Sequence, residues 1–192
     1  MIVNSLLIFI SGIISALVLS LEDWRWRLAG LSIVQLISFI LIVQIWPIAL
    51  ASVKLISGWM GASLLGTAMI SGDLPDENTQ PLSRNVFRFV LMALGWVITA
   101  IAVPAINEWL PISFTNLTIG FLFILCGIFM FGLNTGSGQI LVGLLIFLSG
   151  FDIIYSSLEG SALVTGFYGL IIILISLVGV YLQGGISFPG EK

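Results

Sequence analysis

Apolar residues run through this chain in long blocks separated by short polar breaks, with no strand-like alternation of apolar and polar positions. Seven blocks emerge. The first spans about 2–20 and ends at the charged, Trp-rich segment Leu21-Glu22-Asp23-Trp24-Arg25-Trp26-Arg27. From Leu28 to Ile70 the chain stays apolar, long enough for two helices, and Trp46-Pro47 near the middle divides it into about 28–45 and 48–70 because proline ends one helix and suits the first turn of the next. A polar, turn-forming loop at 71–85 follows, carrying Asp73, Pro75, Asp76, Glu77 and Pro81. The remaining blocks are about 86–106, 114–133, 139–157 and 162–182. About 20 residues at 1.5 Å rise cross a hydrocarbon core about 30 Å thick, so each block suits a transmembrane helix. The pattern predicts an all-α, polytopic membrane helix bundle, a single transmembrane domain over 1–192.

Composition removes the soluble alternative and narrows the chemistry. Of 192 residues 59% are hydrophobic and 8% charged, and the mean hydropathy is +1.21; six Lys or Arg and nine Asp or Glu are too few to clothe a water-facing surface. There is no His, and Cys126 is the single Cys. That excludes His-ligated haem, Cys-ligated iron–sulfur clusters, structural zinc, an internal disulfide and Ser-His or Cys-His catalytic pairs. No phosphate-cradling loop is visible, so the chain reads as a non-enzyme without a cofactor of its own. A net charge of −3 and no basic stripe argue against a nucleic-acid partner; the expected partners are the bilayer and other integral membrane subunits.

Orientation follows the basic residues. With seven spans Arg25, Arg27, Arg84, Arg88 and Lys192 fall on one side, and Glu108 and Glu159 on the other. The positive-inside rule then places the N terminus outside and the C terminus and the 71–85 loop in the cytoplasm of a cell (plasma or inner) membrane. The first block lacks a basic n-region, so it reads as a retained helix, although Val18 and Ser20 would pass as a cleavage site.

The chemistry must come from the few polar residues inside the apolar blocks. Lys54 lies seven residues past Pro47 and shares a helical face with Gly58, Ala62 and Gly66, small residues that let helices approach closely, so it is expected to point into the bundle. The alternative is a lysine snorkelling to the outer interface. Asp152 lies at matching depth, with Ser149, Tyr155, Ser156 and Glu159 on its face, and Gln35 and Gln44 add amides from the second span. Lys54, Asp152, Glu159, Tyr155, Gln35 and Gln44 are thus the proton-relay candidates; a buried Lys and carboxylate can hold or pass a proton, or serve as static glue. Asn116-Leu117-Thr118 fits a glycosylation sequon by chance, and Trp59 and Trp96 fall in mid-span, where packing is expected. Trp24, Trp26, Trp46 and Trp109 fit interfacial belts.

Residues 143–155, Gly-Leu-Leu-Ile-Phe-Leu-Ser-Gly-Phe-Asp-Ile-Ile-Tyr, with Leu-Glu-Gly-Ser-Ala-Leu-Val-Thr-Gly at 158–166 and a long apolar last helix, resemble the small antiporter-type membrane subunits. These are the hydrogenase-4 component E group, the 4L subunits of NADH:quinone oxidoreductases and the C subunits of multisubunit cation/proton antiporters. The family's mid-membrane Glu, often before Asn, is matched here by Phe151-Asp152. The resemblance implies a non-catalytic subunit of a larger proton- or cation-translocating, respiratory or hydrogenase-like complex. Two other readings stand beside it: an independent small-solute or ion transporter, favoured if the first three spans formed an inverted pair with the next three, and a structural scaffold or assembly protein.

Overall fold

A computed structural model describes residues 2–21, 23–71, 82–133 and 136–183. Among them seven α-helices and no strands occur: α1 (Ile2–Ser20), α2 (Trp24–Ile42), α3 (Ile48–Ser71), α4 (Leu82–Asn107), α5 (Phe114–Leu133), α6 (Ser137–Leu158) and α7 (Ala162–Gln183). Helices α2 to α7 are each long and apolar enough to cross a membrane, and α1 is an apolar helix of 19 residues, the same length as α2. The chain is therefore an all-helical, multi-pass membrane protein. Most of the polar loop, including Asp73, Pro75, Asp76, Glu77 and Pro81, lies outside the described residues, as does Lys192.

Local chemistry sets the helix ends. Helix α2 starts four residues ahead of its apolar run because the Asp23 carboxylate accepts a hydrogen bond from the Arg25 amide at 2.9 Å, capping the first turn. The segment read as interfacial is thus already helix, and the Arg27 guanidinium turns inward to donate from Nε to the Leu21 carbonyl. Arg27 and Arg88 are both buried, each about 2% exposed, rather than displayed in loops. Pro47 precedes α3 and its carbonyl accepts the first bonds of that helix, from the Leu50 and Ala51 amides. Pro104 sits inside α4, which ends within a turn of it at Asn107.

The helices pack as two facing rows. One holds α1, α2 and α3, the other α5, α6 and α7, with α1 against α5, α2 against α6 and α3 against α7, while α4 leans on α1 and α5 at one edge. Helices α2 and α6 consequently run through the middle of the bundle. Where an inverted pair of α1–α3 and α4–α6 would match the α1–α5 contact with an equivalent one between α4 and α2, α4 packs instead on α1 and α5. The rows juxtapose helices four apart in the chain, so the inverted arrangement a transporter would favour is not the one formed.

The tightest helix pair, α5 on α6, rests on four glycines. A Cβ on Gly120 would lie 2.9 Å from the Gly150 carbonyl, and one on Gly150 would lie 2.5 Å from the Gly120 carbonyl. One heptad along, a Cβ on Gly127 would meet the Gly143 carbonyl at 2.7 Å. The two backbones touch directly, which is how apolar helices gain dispersion contacts when lipid offers no hydrophobic drive. On α3 the small face works similarly: Gly58 admits the side chain of Gln35 from α2, and Gly61 admits Ile172 and Ser176 from α7. Ala62 is buried on the same face, and Gly66 faces Leu28 of α2.

Candidate functional site: an ion pair inside the bundle

Lys54 and Asp152 meet across α3 and α6. Nζ of Lys54 lies 2.5 Å from Oδ1 of Asp152, and the two side chains are 3% and 5% exposed. Each arrives from a different row, so the pair exists only because α6 threads the centre and presents the face that carries Asp152 to the first turns of α3. Neither ion touches lipid. A lone charge at the middle of a membrane helix costs about 2.5–3.5 kcal/mol on insertion scales, and pairing is what makes both tolerable.

Three more groups complete the ammonium's surroundings. Ser156, one turn beyond Asp152, accepts a hydrogen bond from Nζ at 2.7 Å while its own hydroxyl donates to the Asp152 carbonyl. The Trp46 ring lies 4.4 Å from Nζ and the Tyr168 ring 5.4 Å, so two aromatic faces flank the cation. Trp46 is fixed by its indole N–H, which donates to the Ser156 carbonyl at 2.9 Å, and by packing with Ile42 and Ala51. A carboxylate, a hydroxyl and two aromatic faces together form an ammonium-binding cage, here filled by a side chain of the same chain.

A second polar contact lies one turn deeper. Gln35 of α2 is buried and donates from Nε2 to the Ser149 hydroxyl at 2.9 Å, and Ser149 donates in turn to the Leu145 carbonyl. Beyond it Leu65, Val142, Leu145 and Ile146 are fully buried and close the other half of the bundle. The polar stripe therefore reaches the bundle centre from the end where α3 begins and stops there.

The remaining sequence candidates stand apart from the pair. Gln44 is exposed and its amide folds back onto the Ile40 carbonyl. It lines a recess of about 340 Å³ with Ser113, Asn116 and Ser157 at the same end of the bundle. Tyr155 is half-buried and stacks on Phe151, with ring centroids 6.0 Å apart. Glu159 is exposed just past the end of α6. Lys54 and Asp152 thus couple directly, not through Tyr155 or Gln44, because helical spacing gathers Tyr155 onto the Asp152 side of α6 only approximately. Asn116 is buried and its amide is engaged in donating to Ser157 at 3.2 Å. Trp59 is about half exposed, with its indole donating to the Ser32 carbonyl, and Trp96 packs on Gly12. Cys126 is buried beside the Ser15 carbonyl, and no cluster of metal-ligating side chains occurs among the described residues.

Two site residues escape a reading of the chain. Trp46 beside proline fits an interfacial belt, and only its register against α6 shows that it covers Lys54. Tyr168 lies in a largely apolar α7, whose few polar positions, Thr165, Ser176 and Gln183 among them, do not single it out. The one available signal was depth: counted from the α7 start, Tyr168 is level with Lys54 counted from the α3 start. No family model, curated protein or solved structure matches this chain.

Proposed function

We propose that this chain is a seven-span, non-catalytic membrane subunit that exchanges a proton at the Lys54–Asp152 pair within a larger proton- or cation-translocating complex of the respiratory or hydrogenase-like kind. The observation that carries the reading is the pair itself, a charge-neutral acid–base couple with hydroxyl and aromatic partners, both members buried inside the bundle. A couple of this kind can pass between charged and neutral forms by moving one proton from Nζ to Oδ1 without leaving net charge in the membrane. The resemblance of residues 143–166 to antiporter-type small subunits points the same way. The bilayer orientation belongs to this proposal too, with the N terminus outside and the α2–α3, α4–α5 and α6–α7 turns on the outer face of a cell membrane.

The one-sided polar stripe supports a subunit over a free-standing transporter. A carrier needs alternating access at a repeat interface, whereas the inner half below Ser149 is packed shut and the rows are not an inverted pair. Two measurements test the proposal. Purification in mild detergent should recover other membrane proteins in fixed stoichiometry, and Asp152→Asn, at normal protein level, should abolish the proton-coupled activity of the membranes. A chain that purifies alone overturns the subunit reading; an Asp152→Asn variant with unchanged activity overturns the proton role.

A further inference from the structure

Tyr168 is a buried phenol whose hydroxyl has no hydrogen-bond partner, although its ring flanks the Lys54 ammonium. It is 8% exposed, on α7, with the Ser149 hydroxyl as its nearest would-be partner and the Asp152 charge close by, and its geometry completes no hydrogen bond to either. Ser149 is already engaged, accepting from Gln35 and donating to the Leu145 carbonyl. An orphan hydroxyl in hydrocarbon costs free energy, and phenylalanine would fill the same space without it. A second feature makes the orphan informative: its ring flanks the ammonium that is the close donor to Asp152, and that ammonium sits at the end of a flexible four-carbon stem.

We infer that Tyr168 is the substitute donor of the site, the O–H that takes up the Asp152 carboxylate when the Lys54 ammonium leaves it. This rests on the proton-exchange reading above and adds a positioning residue to it. The exchange needs no covalent change in the phenol. Its O–H turns toward the carboxylate and the ammonium moves off with its three protons, so charge and protons balance. Without such a donor, separating the pair in its charged form would leave the carboxylate only the Ser156 hydroxyl, which lies 3.4 Å away and already donates to the Asp152 carbonyl. With one, the pair becomes separable, which a proton-exchanging element requires and a static brace does not.

Few other groups bear on the carboxylate. Lys54 approaches from α3 and Tyr168 from α7, while α2 offers the uncharged Gln35 and the turn after it Trp46. On α6 itself, the Ser156 hydroxyl lies 3.4 Å from Oδ1 while donating to the Asp152 carbonyl, Tyr155 stacks away on Phe151 and Glu159 is exposed.

The test is a thermal-unfolding cycle on the purified protein in detergent, with Tyr168→Phe made in the parent and in Lys54→Met. In the parent, removing an unpartnered hydroxyl leaves Tm unchanged or raises it. In Lys54→Met the phenol is the donor near Asp152 that is not already committed, since the Ser156 hydroxyl, 3.4 Å from Oδ1, donates to the Asp152 carbonyl, so Tyr168→Phe lowers Tm further, by about 3 °C or more. That further loss should vanish at acid pH, where the carboxyl is protonated, and in Asp152→Asn/Lys54→Met, readouts that a purely packing role would not move. Equal effects in both backgrounds overturn the inference, as does a loss that persists in Asp152→Asn/Lys54→Met. Should Lys54→Met fail to accumulate, Lys54→Gln carries the same comparison. Because the cycle reads stability, it fails or succeeds independently of the Asp152→Asn activity test of the proton role.

Discussion

The Lys54–Asp152 contact couples two ions that are each costly alone. Removing Asp152 leaves a buried ammonium between two aromatic rings and a hydroxyl, and removing Lys54 leaves a buried carboxylate. Breaking one member of a buried pair typically costs about 3–5 kcal/mol, whereas replacing both with neutral groups is often nearly neutral. Asp152→Asn and Lys54→Met should therefore each destabilise strongly, and the double variant should recover most of the loss, by at least about 2 kcal/mol relative to additivity. Denaturant titration in mixed micelles checks this, and strict additivity would show that the pair contributes nothing. Trp46 makes a second prediction at this scale. Trp46→Phe keeps an aromatic face but loses the indole bond to the Ser156 carbonyl, and should cost about 1–2 kcal/mol, less than Trp46→Ala at about 3–5 kcal/mol.

Between elements, the glycines that let α5 and α6 touch set the geometry that brings Asp152 to Lys54. Gly150 is two positions before Asp152, so pushing α6 away from α5 moves the carboxylate. Gly150→Ala should destabilise by roughly 1–3 kcal/mol, because the new methyl meets backbone that cannot yield, whereas Gly166→Ala, with open space around it, should be neutral or slightly stabilising. Thermal unfolding of the two variants separates them, and equal stability would contradict the close α5–α6 approach. The α3 face behaves likewise: a leucine at Gly58 would strike Gln35, while one at the lipid-exposed Ile56 is tolerated.

For the whole molecule, the proposed orientation is a statement about the two ends of the bundle. Trp109, 87% exposed in the α4–α5 turn, and Gly160, in the α6–α7 turn, sit at the end nearer the ion pair. With Cys126 replaced by Ser, a cysteine at either position should react with an impermeant thiol reagent added to intact cells, and one at Ser137 should react only after permeabilisation. The reverse pattern would invert the orientation and place the opening of the polar stripe on the cytoplasmic side. Buried Arg27 and Arg88 give the check particular weight, since charges folded into the bundle sit less squarely in the loops from which orientation is read.

Apolar blocks of near-constant length, set off by proline, glycine and charge, were sufficient to reveal a helical membrane bundle, because hydrocarbon permits few other ways to satisfy backbone groups. Lys54 and Asp152 were equally visible, since ionisable residues in such blocks are rare and costly wherever they point. Helical spacing along one chain, however, carries no information about which helix lies opposite. The two-row packing, Trp46 over the ammonium, the orphan Tyr168 and the inward turn of Arg27 all depend on contacts between distant segments, and Tyr155 and Gln44 left the site for the same reason. Depth in the membrane is written in one dimension; which faces meet at that depth was decided by glycine-sized gaps that only the assembled bundle brings into register.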